Sequence, residues 1–367
     1  MKATTKPRIS SGQLLALMVN FLLASAFIII PSAVVGGAAQ DGWLCVLLAL
    51  MAAVPLARLY PALSEVFPGK SLVEACREAL GHTIGTVLAT CFLWFALHLG
   101  ALVVRNFGDF LVVTLLPGTP QVVIHGLTMV VVVAGLLGGL EVLSRLNQMT
   151  ILVVLPSVAL FLLLCLTIRH VDLGRLLPPL EQGIGPVLKT SLVPLTFPFG
   201  ETVLFTMVTP YLQWGKDASR VWISSLILGG TLLVLATVVV TACFGPQAAS
   251  RLYSVHSLAR CVSIGAFVER MEVFPVIIWM CTGLTKIGVC LYAFVSGSAQ
   301  LLGLRQQSPL VLPSALIMTG LSMLLYDNVT EQLDFARYTW PVYSPLFEVG
   351  LPLLLLIVGK LARRQGR

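Results

Sequence analysis

From Val221 to Cys243 the chain carries no charged residue, and comparable apolar runs recur along nearly its whole length. Runs of that kind are long enough to cross a bilayer as helices. Only 11% of the residues are charged and 57% are hydrophobic, whereas a soluble domain carries about 25% charge. So much apolar surface needs lipid as its solvent. The net charge of +7 raises the question of nucleic acid. No basic stripe with interleaved aromatics is present, and the basic residues lie mostly between apolar runs, as the loop charges of a membrane protein do. Lys2, Lys6 and Arg8 precede an apolar stretch that is long and has no convincing cleavage site, so it is expected to stay as a first spanning helix. The eight cysteines mostly fall inside apolar runs and form no CxxC pair. They read as small packing residues rather than metal ligands.

One apolar run is interrupted by Thr196-Phe197-Pro198-Phe199-Gly200-Glu201. Proline lacks a donor N–H and clashes with the preceding turn, and glycine loosens the next one. A carboxylate then falls near mid-span. Non-helical backbone at that depth requires protein partners or a wet cavity for its freed polar groups. Discontinuous helices of this sort form the binding sites of many secondary transporters.

Read in order, the sequence predicts ten spans: 11–35, 43–62, 82–112, 120–138, 146–168, 186–212, 221–243, 272–302, 309–326 and 339–359. Ser10 and Gln13 have capping-box spacing, as do Ser71 and Glu74 ahead of a short interfacial helix over 71–80. The third span would reach roughly 46 Å against a ~30 Å hydrocarbon core, so it must tilt or project. Residues 169–185 and 244–270 are the two long loops. Lys and Arg are commoner on the side of the N-terminus, so both termini are expected in the cytoplasm.

If the first five spans match the second five, the fold is a single transmembrane domain over 1–367, with one repeat over about 10–168 and an inverted one over about 186–360. The first span then corresponds to the sixth, and it has its own soft point at Ala24-Ser25-Ala26, ahead of Pro31. A small-residue packing patch is the plainer reading of those three. Two broken helices together would present free N–H groups to an anion and free carbonyls to a cation, which suits a small zwitterion.

The chain resembles the B subunit of spore germinant receptors (GerAB-like proteins), a branch of the amino acid–polyamine–organocation transporter superfamily. The resemblance rests on 196–201 together with Phe67-Pro68-Gly69-Lys70-Ser71-Leu72-Val73-Glu74, Leu115-Leu116-Pro117-Gly118-Thr119-Pro120 and Gly139-Leu140-Glu141-Val142-Leu143-Ser144-Arg145. Glu269-Arg270, Trp279, Lys286 and Leu291-Tyr292-Ala293 are similar to that family's eighth span. Relatives commonly have a Gly-x-Gly-like break where this chain has Ala24-Ser25-Ala26. The resemblance implies an all-α integral membrane protein with a LeuT-like 5+5 inverted repeat and broken first and sixth helices. It further implies a multi-pass protein of the spore inner membrane that senses a nutrient, such as an amino acid. Its implied partners are a receptor A subunit and a C-subunit lipoprotein.

The candidate ligand-binding residues are Asn20, Ala24, Ser25, Ala26, Phe27, His98, Phe197, Pro198, Phe199, Gly200 and Glu201. A lone histidine such as His98 is more often a satisfied core residue. Glu201 is a candidate gate, proton site or ligand contact, or else a structural cap. Lys286 is a candidate for ion or proton coupling, as is Glu201. In sodium-coupled members of the superfamily the first and eighth spans share an ion site, which a lysine ammonium would mimic; equally, Lys286 would pair with Glu348 or Glu201 to fix packing. Arg105 and Asp109, four apart, read as a structural pair. No nucleophile constellation, phosphate loop or metal spacing stands out, so neither an enzyme nor a cofactor is expected. A proton-coupled amino acid transporter is the rival reading.

Overall fold

The computed structural model describes residues 8–166, 171–213, 217–262 and 271–364. Lys2, Lys6, Glu269, Arg270 and parts of both long loops lie outside them. Fourteen α-helices make up the described chain: α1 Ser11–Ala38, α2 Gly42–Val66, α3 Leu72–Leu80, α4 His82–Thr114, α5 Gln121–Leu137, α6 Gly139–Cys165, α7 Ile184–Pro194, α8 Ala218–Phe244, α9 Ser254–Cys261, α10 Val273–Leu301, α11 Ser308–Leu324, α12 Val329–Asp334, α13 Trp340–Tyr343 and α14 Leu351–Arg364. Among the described residues the β-pairing is limited to one isolated bridge, Ile9 with Leu212.

Six helical stretches are long and apolar enough to cross a membrane: Ser11–Val66, His82–Thr114, Gly139–Cys165, Ala218–Ser250, Val273–Leu301 and Val329–Arg364. Two shorter apolar helices, Gln121–Leu137 and Ser308–Leu324, accompany them. The outer faces of α5, α6 and α11 expose Leu127, Val130, Leu152 and Leu316. That surface is unfavourable in water and natural against lipid.

Local chemistry sets the helix ends. Ser10 Oγ accepts from Gln13 N at 3.2 Å while the Gln13 side chain accepts from Ser10 N at 2.9 Å. The same reciprocal cap joins Ser71 and Glu74. α3 buries Leu72, Val73, Ala75 and Cys76 and leaves Glu74 and Glu78 exposed. One boundary differs from expectation. α6 starts at Gly139 rather than near 146, because Glu141 and Arg145 pair at 3.6 Å one turn apart. An exposed pair at that spacing supports a helix, so the polar segment continues it.

α1 is the axis of the molecule, packed against α8, α10, α6 and α2. Small residues allow the close approach: a Cβ at Gly229 would meet Leu22 of α1, and one at Gly230 would meet Leu50 of α2. Arg105 Nε donates to both Asp109 oxygens at 3.1 Å, as the spacing predicts. His125 Nδ1 lies 2.9 Å from Ser322 Oγ and ties α5 to α11.

Candidate functional site

Two buried helices are interrupted. In α1 the backbone leaves helical geometry at Ala24, with φ −29° and ψ −119°. Since φ is negative, the left-handed geometry that favours glycine is not involved there. After α7 the chain passes through a π-turn over Leu195–Phe199, where Phe197 has φ −124° and ψ 105°, and then a 3-10 stretch over Gly200–Met207. The Phe197–Pro198 peptide is cis. The π-turn packs against α1, and the rings of Phe21 and Phe205 meet edge to face at 5.2 Å.

Lys286 of α10 joins the two interrupted segments. Its ammonium pairs with Glu201, with side-chain exposures of 0% and 1%. It also lies 4.7 Å from the Phe21 ring centre and 4.6 Å from that of Phe197. Each aromatic face contributes about 0.5–2 kcal/mol to holding a desolvated cation. Glu201 Oε1 is buried without a hydrogen-bond partner, and so is Ser25 Oγ next to the α1 break. The carbonyl of Gly200 accepts from Tyr60 Oη at 3.0 Å, which satisfies one backbone group the break sets free.

A second buried carboxylate approaches from the far side. Glu348 sits in the π-turn Leu346–Gly350 that precedes α14, and a Cβ at Gly200 would collide with it. Its Oε1 has no partner. The site thus holds two carboxylates and one ammonium, an arrangement that can store or pass a proton.

Beside Glu201 lies a cavity of about 30 Å³, lined in part by Ile29, Asn106, Phe197, Gln332 and Trp340. That is room for roughly two waters. A larger cavity of about 260 Å³ adjoins it and shares Ile29, Phe197, Leu333 and Ala336 with the first. Phe197 and Ile29 thus belong to the wall that the two cavities share.

The sequence-predicted residues divide. Phe197, Pro198, Phe199, Gly200 and Glu201 are all buried, with Phe197 and Glu201 against Lys286. Ala24, Ser25 and Ala26 are buried too, and α1 reaches Lys286 through Phe21, just under a turn before Ala24. Asn20 is committed to α6, donating to Asn147 Oδ1 at 2.9 Å and Thr150 Oγ1 at 3.0 Å, and Thr285 donates to the same Asn147 oxygen. Phe27 packs on Phe161. His98 sits in an aromatic cluster, stacked on Trp94 at 5.6 Å and edge-on to Phe335, Trp340 and Tyr343. Sequence reasoning did not find Tyr60, Phe21 or Asn106. Nothing in a hydropathy pattern distinguishes Tyr60 and Phe21 from other core residues, whereas Asn106, a polar residue inside an apolar span, was a signal that could have found it. Among the described residues no group of three or more His, Cys, Asp or Glu is placed to hold a metal.

Comparison with known proteins bears on this geometry. In sequence, the chain is 28% identical to spore germination protein KB of Bacillus subtilis (strain 168), covering 96% of this chain and 95% of that one. It is 26% identical to spore germination protein YndE of the same strain, over 97% and 98% of the two chains. Spore germination protein A2 matches at 23% identity over 98% of each. In structure, the chain superposes on Mhp1, a nucleobase-cation-symport-1 family transporter solved in a closed conformation with bromovinylhydantoin bound. The TM-score is 0.70 at 14% identity, covering 96% of this chain and 78% of that one. This likeness concerns the fold, which is that of a membrane transporter. The profile of the spore germination proteins matches residues 8–331. The chain belongs to the spore germination protein family.

Proposed function

We propose that the chain is the nutrient-sensing subunit of a spore germination receptor, with a small nutrient, an amino acid by preference, bound between the breaks at Ala24 and Phe197. The observation that carries this reading is the junction itself. Two interrupted helices, an orphaned serine hydroxyl and a half-satisfied Lys286–Glu201 pair leave polar groups free in the middle of an apolar core. In this reading the domain spans 1–367 as ten helices in two inverted repeats, about 10–168 and 186–360, in the spore inner membrane with both termini cytoplasmic. The ligand contacts are Ala24, Ser25, Ala26 and Phe197 to Glu201, and Lys286 with Glu201 couples binding to an ion or proton. The cavity beside Glu201 is too small for an amino acid, so binding requires the break to open and close again. The ligand's preference for the closed form supplies the energy that is passed on, to an A subunit and a C-subunit lipoprotein.

The test is a thermal-shift screen of the detergent-solubilised protein against amino acids, sugars and nucleosides. A specific ligand at 100 times its Kd stabilises by about 2.7 kcal/mol, and the shift should vanish in Gly200→Val and Ser25→Val. A ligand shift that survives both would place binding elsewhere.

One observation favours the rival, a proton-coupled amino acid transporter: Glu348 is a buried carboxylate whose Oε1 has no partner. Counterflow of labelled substrate into vesicles that contain this chain alone separates the two. Uptake would mean transport, and binding without uptake would mean sensing.

A further inference from the structure

The 260 Å³ cavity outside the break is lined by two arginines, Arg251 between α8 and α9 and Arg337 after α12. Neither takes part in an ion pair among the described residues. Arg251 lies with its guanidinium 4.0 Å over the ring of Phe244. Its Nε is buried and has no hydrogen-bond partner. Arg337 spends one Nη on the carbonyl of Ala33 at 3.0 Å, lies 5.9 Å from the Tyr338 ring centre, and makes no other hydrogen bond among the described residues. Arginine stays charged in any protein environment, and a buried donor left unmade is costly. Guanidinium forks fit a carboxylate with two parallel hydrogen bonds.

The remaining lining narrows the ligand. Asp334 is exposed on the rim of the same cavity and offers a partner for an ammonium group. Ile30, Val193 and Leu252 supply apolar wall. We propose that this cavity is a separate docking site for an α-amino acid with an apolar side chain. The carboxylate sits on Arg251 and Arg337 and the ammonium turns toward Asp334. The shared wall that includes Phe197 and Ile29 then separates this first stop from Glu201. The proposal deepens the sensing reading and rests on it for the second stop, while docking at the arginines stands on the cavity alone.

The experiment uses the full chain in lipid nanodiscs and titration calorimetry with L-alanine, L-valine and L-leucine, alongside L-leucinamide, which has no carboxylate. At least one of the three acids should bind saturably and leucinamide should not. Arg251→Gln and Arg337→Gln should each weaken binding roughly tenfold or more. Arg251→Lys keeps the charge over Phe244 but loses the fork, and should fall between wild type and Arg251→Gln. That graded series shows the loss is not one of folding. Glu201→Gln should leave this docking intact. Equal binding of leucine and leucinamide, unchanged affinity in Arg251→Gln, or no saturable binding of any acid would overturn the proposal. Loss of binding in Glu201→Gln with none in Arg251→Gln would overturn it and uphold the sensing reading.

Discussion

Lys286 pairs with Glu201, not with Glu348, although both carboxylates are buried beside the same break. The lysine therefore bridges α10 to the interrupted segment after α7, and Glu348 is held by position rather than by a cation. Removing one member of a buried pair leaves an uncompensated charge and costs about 3–5 kcal/mol. Lys286→Met should lower the unfolding temperature accordingly, and the double variant Lys286→Met/Glu201→Gln should recover most of the loss in a thermal double-mutant cycle. If the ammonium stands in for a bound ion, Lys286→Met also abolishes ligand binding. Normal germination with that variant would end the ion-mimic idea.

Gly200 is where the Glu348 carboxylate comes closest to the break. Gly200→Ala overpacks the contact and should cost about 1–3 kcal/mol. Gly200→Ala/Glu348→Ala should be more stable than Gly200→Ala alone. Unfolding temperatures of the set decide the matter, and purely additive losses would mean the two residues do not meet.

Tyr60→Phe deletes the hydroxyl that donates to Gly200 O at 3.0 Å. A buried carbonyl at the break then has no partner, at a cost of about 1–3 kcal/mol. Hydrogen exchange followed by mass spectrometry should show faster exchange over 197–205 than in wild type, with α5 and α11 unchanged.

Much of this was legible beforehand. The soft point at 24–26, the break at 196–201, both capping boxes and the short amphipathic helix after Ser71 all follow from side-chain chemistry acting over a few residues. The choice of Lys286 between Glu201 and Glu348 did not follow. Depth and rotation of each helix about its axis decide it, and an apolar run with one charge fixes neither. The π-turn Leu346–Gly350 was hidden inside the expected span 339–359, and Phe335–Thr339 fell almost wholly in the connection before it. Pro341 and Pro345 hint at irregular backbone there without specifying which kind. Arg251 looked like an ordinary loop charge until the fold set it over Phe244 beside Arg337.

Asn147 accepts from Asn20 and Thr285 and donates to Leu143 O at 2.9 Å. It joins α1, α6 and α10 about one helical turn before the α1 break. Asn147→Leu removes the acceptor that Asn20 and Thr285 share, while Asn20 keeps Thr150 Oγ1 and Thr285 keeps Cys281 O. It should cost about 0.5–1.5 kcal/mol per lost bond, with no change in which ligands bind. Parallel thermal and ligand-binding curves check this; altered ligand selectivity would make the cluster part of the site.

His256 lies in α9, between the spanning helices α8 and α10. Burial lowers its pKa from the ordinary 6.5, helped by Arg260 and opposed by Glu272. Below about 6.5 the unfolded chain takes up a proton that the folded one does not. Stability is therefore full above that pH and declines as the pH falls toward the folded value. His256→Gln should flatten this part of the stability–pH profile, measured by unfolding between pH 7.5 and 5; an unchanged slope would assign it to other groups.

The contact between Glu348 and Gly200 leaves little slack where the last helical segment leans on the notch after α7. Any rewinding that thickens the chain at Gly200 meets the carboxylate end of Glu348 first. The carboxyl-terminal segment thus rests a buried acid against the notch, as a latch rests on its bolt.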